Sequence, residues 1–73
     1  MIANSESLGV QFRKYRKQQG LSQRRVSQLS GVAQDKISKF ENGNRNIRIS
    51  TLFRLLDVLN LRLVVIDENG DEI

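Results

Sequence analysis

Seventy-three residues with a net charge of +4 make one domain. There is no cysteine and no histidine, which excludes disulfide staples and the usual structural zinc sites. No stretch approaches the roughly 20 apolar residues of a membrane span, and Met1–Glu6 lacks the basic segment and apolar run of a signal peptide; a cytoplasmic location is the expectation.

A chain this short buries only about 60–65% of its extended surface. Without covalent or metal staples, such small cores lean on helix packing or oligomerisation, and an obligate homodimer is expected. All twelve Lys and Arg lie between Arg13 and Arg62, while four of the eight acids fall in the last seven residues. Residues 1–66 therefore carry +8. A basic body with an acidic tip suggests a surface for a polyanion, although a solvated surface chosen for solubility has the same composition.

In chain order, Met1–Asn4 reads as loose, and Ser5 or Ser7 can cap a first helix. Leu8, Phe12 and Tyr15 recur at i, i+4, i+7 and predict one buried stripe to about Gln19, where Gly20 ends the helix. Arg13 and Lys14 cover other faces, suited equally to phosphate contact and to plain solvation. Ser22 precedes a second helix, Gln23–Ser30, as its N-cap. Gln23 and Arg24 then stand at a helix start, where backbone N–H groups and a side-chain amide can hold a phosphate. Arg24 and Arg25 oppose the helix dipole there, a local cost easier to understand if a phosphate approaches. Ser27 and Ser30 are small enough for close packing, but each hydroxyl needs a partner.

Gly31-Val32-Ala33 is a tight joint to a third helix, Gln34–Asn42. Val26, Leu29, Val32, Ile37 and Phe40 are the apolar positions, and their phase switches at Gly31, as two helices crossing steeply around one core require. Ile37 and Phe40 inward put Gln34, Asp35, Ser38 and Lys39 outward, a polar face suited to the floor of a DNA major groove. Ala33 leaves the third helix without a side-chain cap and can offer its methyl to a thymine. Gln34 can pair bidentately with adenine, Asp35 can accept from cytosine, and Ser38 can serve several bases. Lys36 suits a phosphate; Lys39 suits a phosphate or a guanine, and joins the base-facing set. The alternative for all of them is an ordinary solvated face.

Asn42-Gly43-Asn44-Arg45-Asn46 is turn chemistry with a basic residue in it. Helix four is predicted over Ile49–Leu59, with Leu52, Leu55, Leu56 and Leu59 as its stripe and Asn60 as its stop. Phe53 falls beside that stripe, facing either a second subunit or the core. Leu61–Ile66, LRLVVI, reads as a strand. A lone strand in a helical domain is an association template. Pairing with the same strand of a second subunit, through Leu61, Leu63, Val64, Val65, Ile66 and Phe53, is preferred to a fold-back over helix four. Asn69-Gly70 breaks the chain, and the acidic tail 68–73 reads as mobile. No catalytic set, phosphate-cradling glycine loop or paired carboxylate appears, so an enzyme is not expected.

Leu21-Ser22-Gln23, then Gly31-Val32, then Ile37-Ser38-x-Phe40-Glu41-Asn42-Gly43 resemble the helix-turn-helix of the Xre/Cro repressor family. The resemblance runs from about Leu8 to Leu63, and the closing helix and apolar strand look most like the HipB-type antitoxins. It implies a mainly α, compact, four- to five-helix lambda-repressor-like domain over 1–73. The helix-turn-helix would lie at about 22–42, with a C-terminal β-strand at about 61–67 pairing across a dimer. It implies an Arg16–Glu41 salt bridge, DNA-backbone contacts from Gln23, Asn44 and Arg45, and bracing of Gln34 by Gln23. Ala33 stands where the family usually has a capping Ser or Thr, and Ile47 where it often has Pro. The implied function is a repressor on a palindromic operator, with a HipA-like kinase toxin as a further partner and no cofactor. A phage-type or free-standing regulator shares the motif, and a protein-interaction module with no specific DNA site is the rival from another class.

Overall fold

The computed structural model describes the backbone of residues 5–44 and 46–73 and the side chains of 8–44 and 46–73. Four helices follow in order: α1 (Ser5–Gln18), α2 (Gln23–Ser30), α3 (Gln34–Glu41) and α4 (Ile49–Val58). Ser5 and Ser7 both fall within α1 rather than before it, and their side chains, like Met1–Asn4, lie outside the described residues.

Nine apolar side chains form one core: Phe12, Val26, Val32, Ile37, Phe40, Leu52, Leu55, Leu56 and Leu59. Each helix donates to it, and short helices draw most of their stability from such packing. The Phe12 and Phe40 rings meet at 5.6 Å between centroids, tilted by 55°. Burying a Phe or Ile side chain contributes about 1.5–3 kcal/mol, and these contacts fix α3 on α1.

The α1 stripe differs from the expected one. Phe12 is buried and Leu8 packs against the core, but Tyr15 is 40% exposed and the inward position one residue on is Arg16. Gly9 sits directly against the last turn of α3: a Cβ at residue 9 would collide with the Phe40 carbonyl oxygen. This close backbone approach acts together with the Phe12–Phe40 contact and the Arg16–Glu41 pair in holding α1 against α3.

In α2 the expected inward Leu29 is 51% exposed, whereas Val26 is sealed. Ser27 and Ser30 take the inner flank instead. Ser27 Oγ donates to the Val32 carbonyl at 2.6 Å, and Ser30 Oγ accepts from Val32 N–H at 3.1 Å. Both hydroxyls thus bind the joint, which Gly31 turns at φ 74°, and its N–H closes on Ser27 O at 3.0 Å. Ser22 caps α2 by accepting from Arg25 N–H at 3.0 Å. Ala33 gives α3 no side-chain cap.

After α4, Asn60 takes φ 56° and Leu61 N–H closes on Leu56 O at 2.9 Å, ending the helix. The expected strand over Leu61–Ile66 is not formed. Among the described residues there is one isolated antiparallel bridge, Ile66 to Glu72. The physical reason is that a strand needs a partner along its length, and the returning chain reaches only its end: Ile73 N–H binds Val65 O at 2.9 Å and Asp67 N–H binds Asp71 O at 2.8 Å. The acidic tail, expected to be mobile, forms this return. Asp67 Oδ1 accepts from Asn69 N–H at 2.9 Å and Asp71 N–H at 3.0 Å, an aspartate-nucleated turn.

Candidate nucleic-acid interface

Burial of Ile37 and Phe40, at 0% and 1% exposure, decides which side of α3 meets solvent. Gln34, Asp35, Lys36 and Lys39 are exposed and Ser38 is half-buried, with Ala33 exposed at the helix start. Gln34, Asp35 and Ser38 form the outward side behind the open N-terminal turn of α3, with Lys39 beside them and Lys36 on the flank toward α4. Backbone N–H groups of Lys36 and Ile37 both close on Ala33 O, at 3.0 and 3.2 Å. That leaves the first-turn N–H groups of Gln34 and Asp35 without an intrahelical partner.

The frame behind this face is ionic. Arg16 and Glu41 are 6% and 2% exposed. Arg16 Nε donates to Glu41 Oε2 at 2.7 Å and Nη2 to Oε1 at 2.8 Å, a bidentate pair across 25 residues of chain. Nη1 donates to Leu21 O at 2.7 Å. Hydrogen bonding to Glu41 raises the guanidinium above its ordinary pKa; desolvation opposes this and the charge of Glu41 adds to it. A buried charge is tolerable only when paired and fully hydrogen-bonded, and no buried side-chain nitrogen or oxygen among the described residues lacks a partner.

Gln23 is half-buried, and its Nε2 donates to Glu41 Oε1 at 3.0 Å. The expected brace runs to Gln34; the observed hydrogen bond runs to the other end of α3. Arg24, beside it, is exposed. Asn44 is exposed and its Oδ1 accepts from Asn46 N–H at 2.8 Å, which holds the α3–α4 loop in a turn. Arg45 lies outside the described residues.

Between α3 and α4 a cavity of about 260 Å³ is lined by Lys36, Lys39, Phe40, Asn44, Asn46, Ile47, Arg48 and Thr51. Among the described residues, its lining includes three cations, Lys36, Lys39 and Arg48, and no acid. Arg48 and Thr51 were not singled out by sequence, because they lie beyond the motif; the available signal was a cation immediately before the start of α4.

The residues expected at a dimer surface separate into two groups. Phe53 is 46% exposed, which removes it from the core, and Leu63, Val64, Val65 and Ile66 are likewise exposed. Leu61 instead packs half-buried against the core of its own chain. The turn at Asn60 directs it there. No helix among the described residues is long and apolar enough to cross a membrane.

Comparison with known proteins gives a consistent result. The transcriptional regulator PuuR of Escherichia coli (strain K12) is 46% identical over 55 residues, 75% of this chain. The chain spans 30% of PuuR's length. Among solved structures, a HipB–O4 20mer complex superposes with a TM-score of 0.86 at 29% identity, covering 93% of this chain and 96% of HipB. The restriction-modification controller protein C.AhdI of Aeromonas hydrophila superposes with a TM-score of 0.70 at 30% identity, covering 74% of this chain and 82% of its own. The helix-turn-helix family's sequence model matches residues 12–66, from the Phe12 that anchors α1 to the end of the apolar segment, and the chain belongs to that Xre-type family.

Proposed function

We propose that this chain is a sequence-specific DNA-binding repressor, not an enzyme, that acts as a homodimer on a palindromic operator. The observation that carries the reading is the outward face of α3, polar along its length and fixed by Ile37 and Phe40 beneath it. Gln34, Asp35, Ser38 and Lys39, with the Ala33 methyl, read base edges in the major groove. Gln23, Arg24, Lys36, Asn44 and Arg45 hold phosphates and set position. The exposed Phe53 and Leu63–Ile66 face a second subunit. The twofold then repeats the recognition helix at about 34–36 Å, one turn of the duplex.

The likeness to HipB in its O4 and O2 20mer complexes, and in a HipA–HipB–O2–O3 complex at a TM-score of 0.86, supports a narrower role. In that role the chain is the antitoxin and autorepressor of an operon that also encodes a HipA-like kinase. The likeness to C.AhdI supports the second reading, a stand-alone regulator with no toxin partner.

Selection from random duplexes with the purified protein tests the main reading. One enriched palindrome, with half-sites one helical turn apart, is the expected outcome. Recovery of no preferred sequence, alongside tight binding of another protein, would replace it with an interaction module. Co-purification of a kinase encoded next door separates antitoxin from free-standing regulator.

A further inference from the structure

The sequence offers Gln23 as a phosphate contact and Glu41 as one half of a structural ion pair, two separate roles. The structure joins them. Glu41 Oε1 takes two hydrogen bonds, from Arg16 Nη2 at 2.8 Å and from Gln23 Nε2 at 3.0 Å. Arg16 in turn is fixed by both Glu41 oxygens and by Leu21 O, the carbonyl two residues before Gln23. The carboxylate therefore cannot rotate without breaking a bidentate pair, and Gln23 is docked on an immobile acceptor.

A side-chain amide nitrogen carries two N–H donors in one plane. Glu41 takes one of them, and its negative charge selects the nitrogen rather than the amide oxygen, which it would repel. The other N–H diverges from the first within the amide plane. Gln23 is only half-buried, so part of its surface is open to solvent at the start of α2. Without Glu41, a glutamine at this place rotates freely and presents oxygen as readily as nitrogen; oxygen repels a phosphate.

We infer that Glu41 is a positioning residue for DNA-backbone recognition: the Arg16-locked carboxylate orients the Gln23 amide so that its remaining N–H donates to a phosphate. The inference rests on the DNA-binding reading above and adds to it the residue that sets the donor's polarity. It also explains why a negative charge close to the interface does not repel the backbone: Glu41 is buried, neutralised by Arg16, and separated from the phosphate by the amide it orients.

The direct test uses the wild-type chain and its selected duplex. In the free protein, NMR should resolve the two Nε2 protons of Gln23, one displaced by the Glu41 carboxylate. Adding duplex should move the second proton while the first stays. Movement of both, or of neither, while other α2 and α3 resonances shift, would overturn the inference. A duplex that shifts no resonance at all overturns the DNA-binding reading instead.

A second test replaces single phosphates by neutral methylphosphonates. One position should cost wild-type protein roughly tenfold in affinity, the scale of one hydrogen bond to a charged group. Gln23→Met keeps the length without the donors and should lose that sensitivity. Glu41→Gln should lose most of it as well, in protein that circular dichroism shows to be folded. Folded Glu41→Gln protein with the full tenfold response would overturn the inference. If Glu41→Gln does not fold, the wild-type resonances decide.

Discussion

In the four-helix body, Val26, Ile37 and Leu55 have no exposed surface at all, whereas the four consecutive apolar residues from Leu63 to Ile66 keep between 44% and 66% of theirs. The two regions also treat polar groups differently. The body buries an arginine and a glutamate and satisfies every atom of both. The segment after Leu61 makes its hydrogen bonds at its far end only, where Asp67 gathers the returning chain. Among the described residues, the body completes its polar pairing within one chain. The terminal segment has the composition of a buried element without the contacts of one, and under the proposed function a second subunit supplies them.

The largest expected effect strikes the scaffold. Glu41→Ala leaves Arg16 buried and unpaired, and should destabilise the fold by about 3–5 kcal/mol in urea or thermal unfolding. Combining Arg16→Met with Glu41→Leu should recover much of that loss, because apolar replacements of both partners remove the uncompensated charge. The guanidinium's folded-state pKa is raised. Its stabilising share is therefore complete below its ordinary value and lost only as pH climbs through the raised one. Mildly alkaline solution should leave the Arg16 contribution intact.

Phe40→Ala should cost a similar ~3–5 kcal/mol by deleting the ring that faces Phe12. Next comes the outer face of α3: Gln34→Ala should weaken operator binding by about 1–3 kcal/mol in a gel shift while leaving the melting temperature nearly unchanged. Smaller still, Ala33→Ser supplies the missing cap of α3 and should stabilise the fold by about 1 kcal/mol. Least affected should be the intrinsic stability of the body on Val65→Glu, within about 0.5 kcal/mol. Sedimentation should nonetheless show the dimer lost. Were Val65→Glu to unfold the helices in dilute monomer, the contrast between the two regions would be wrong.

The helices were readable from sequence because α2 and α4 announce themselves twice, by apolar spacing and by Ser22, Gly31 and Asn60 at their ends, and α3 by its spacing after the Gly31 joint. The outward set on α3 followed from Ile37 and Phe40 alone. Three features stayed hidden for a shared reason: each is carried by a residue that hydropathy ignores. Gly9 lets the backbone of α1 meet α3, and Arg16 rather than Tyr15 takes the inward position. Ser27 and Ser30 take the inner flank of α2 in place of Leu29, because their hydroxyls fasten the joint. Gln23 reaches Glu41 from 18 residues away, a pairing no local spacing encodes. The terminal segment failed differently. Its β-branched run is real, but pairing is a property of two segments, and only its far end meets one.

Gly9 carries a consequence for mutational surveys. At most positions of this chain alanine scanning removes atoms; at a glycine it adds one, and at residue 9 it adds it against a carbonyl that belongs to α3. A survey read in the usual way would credit the position with a large side-chain contribution. The quantity measured there would be the thickness of the gap between two backbones.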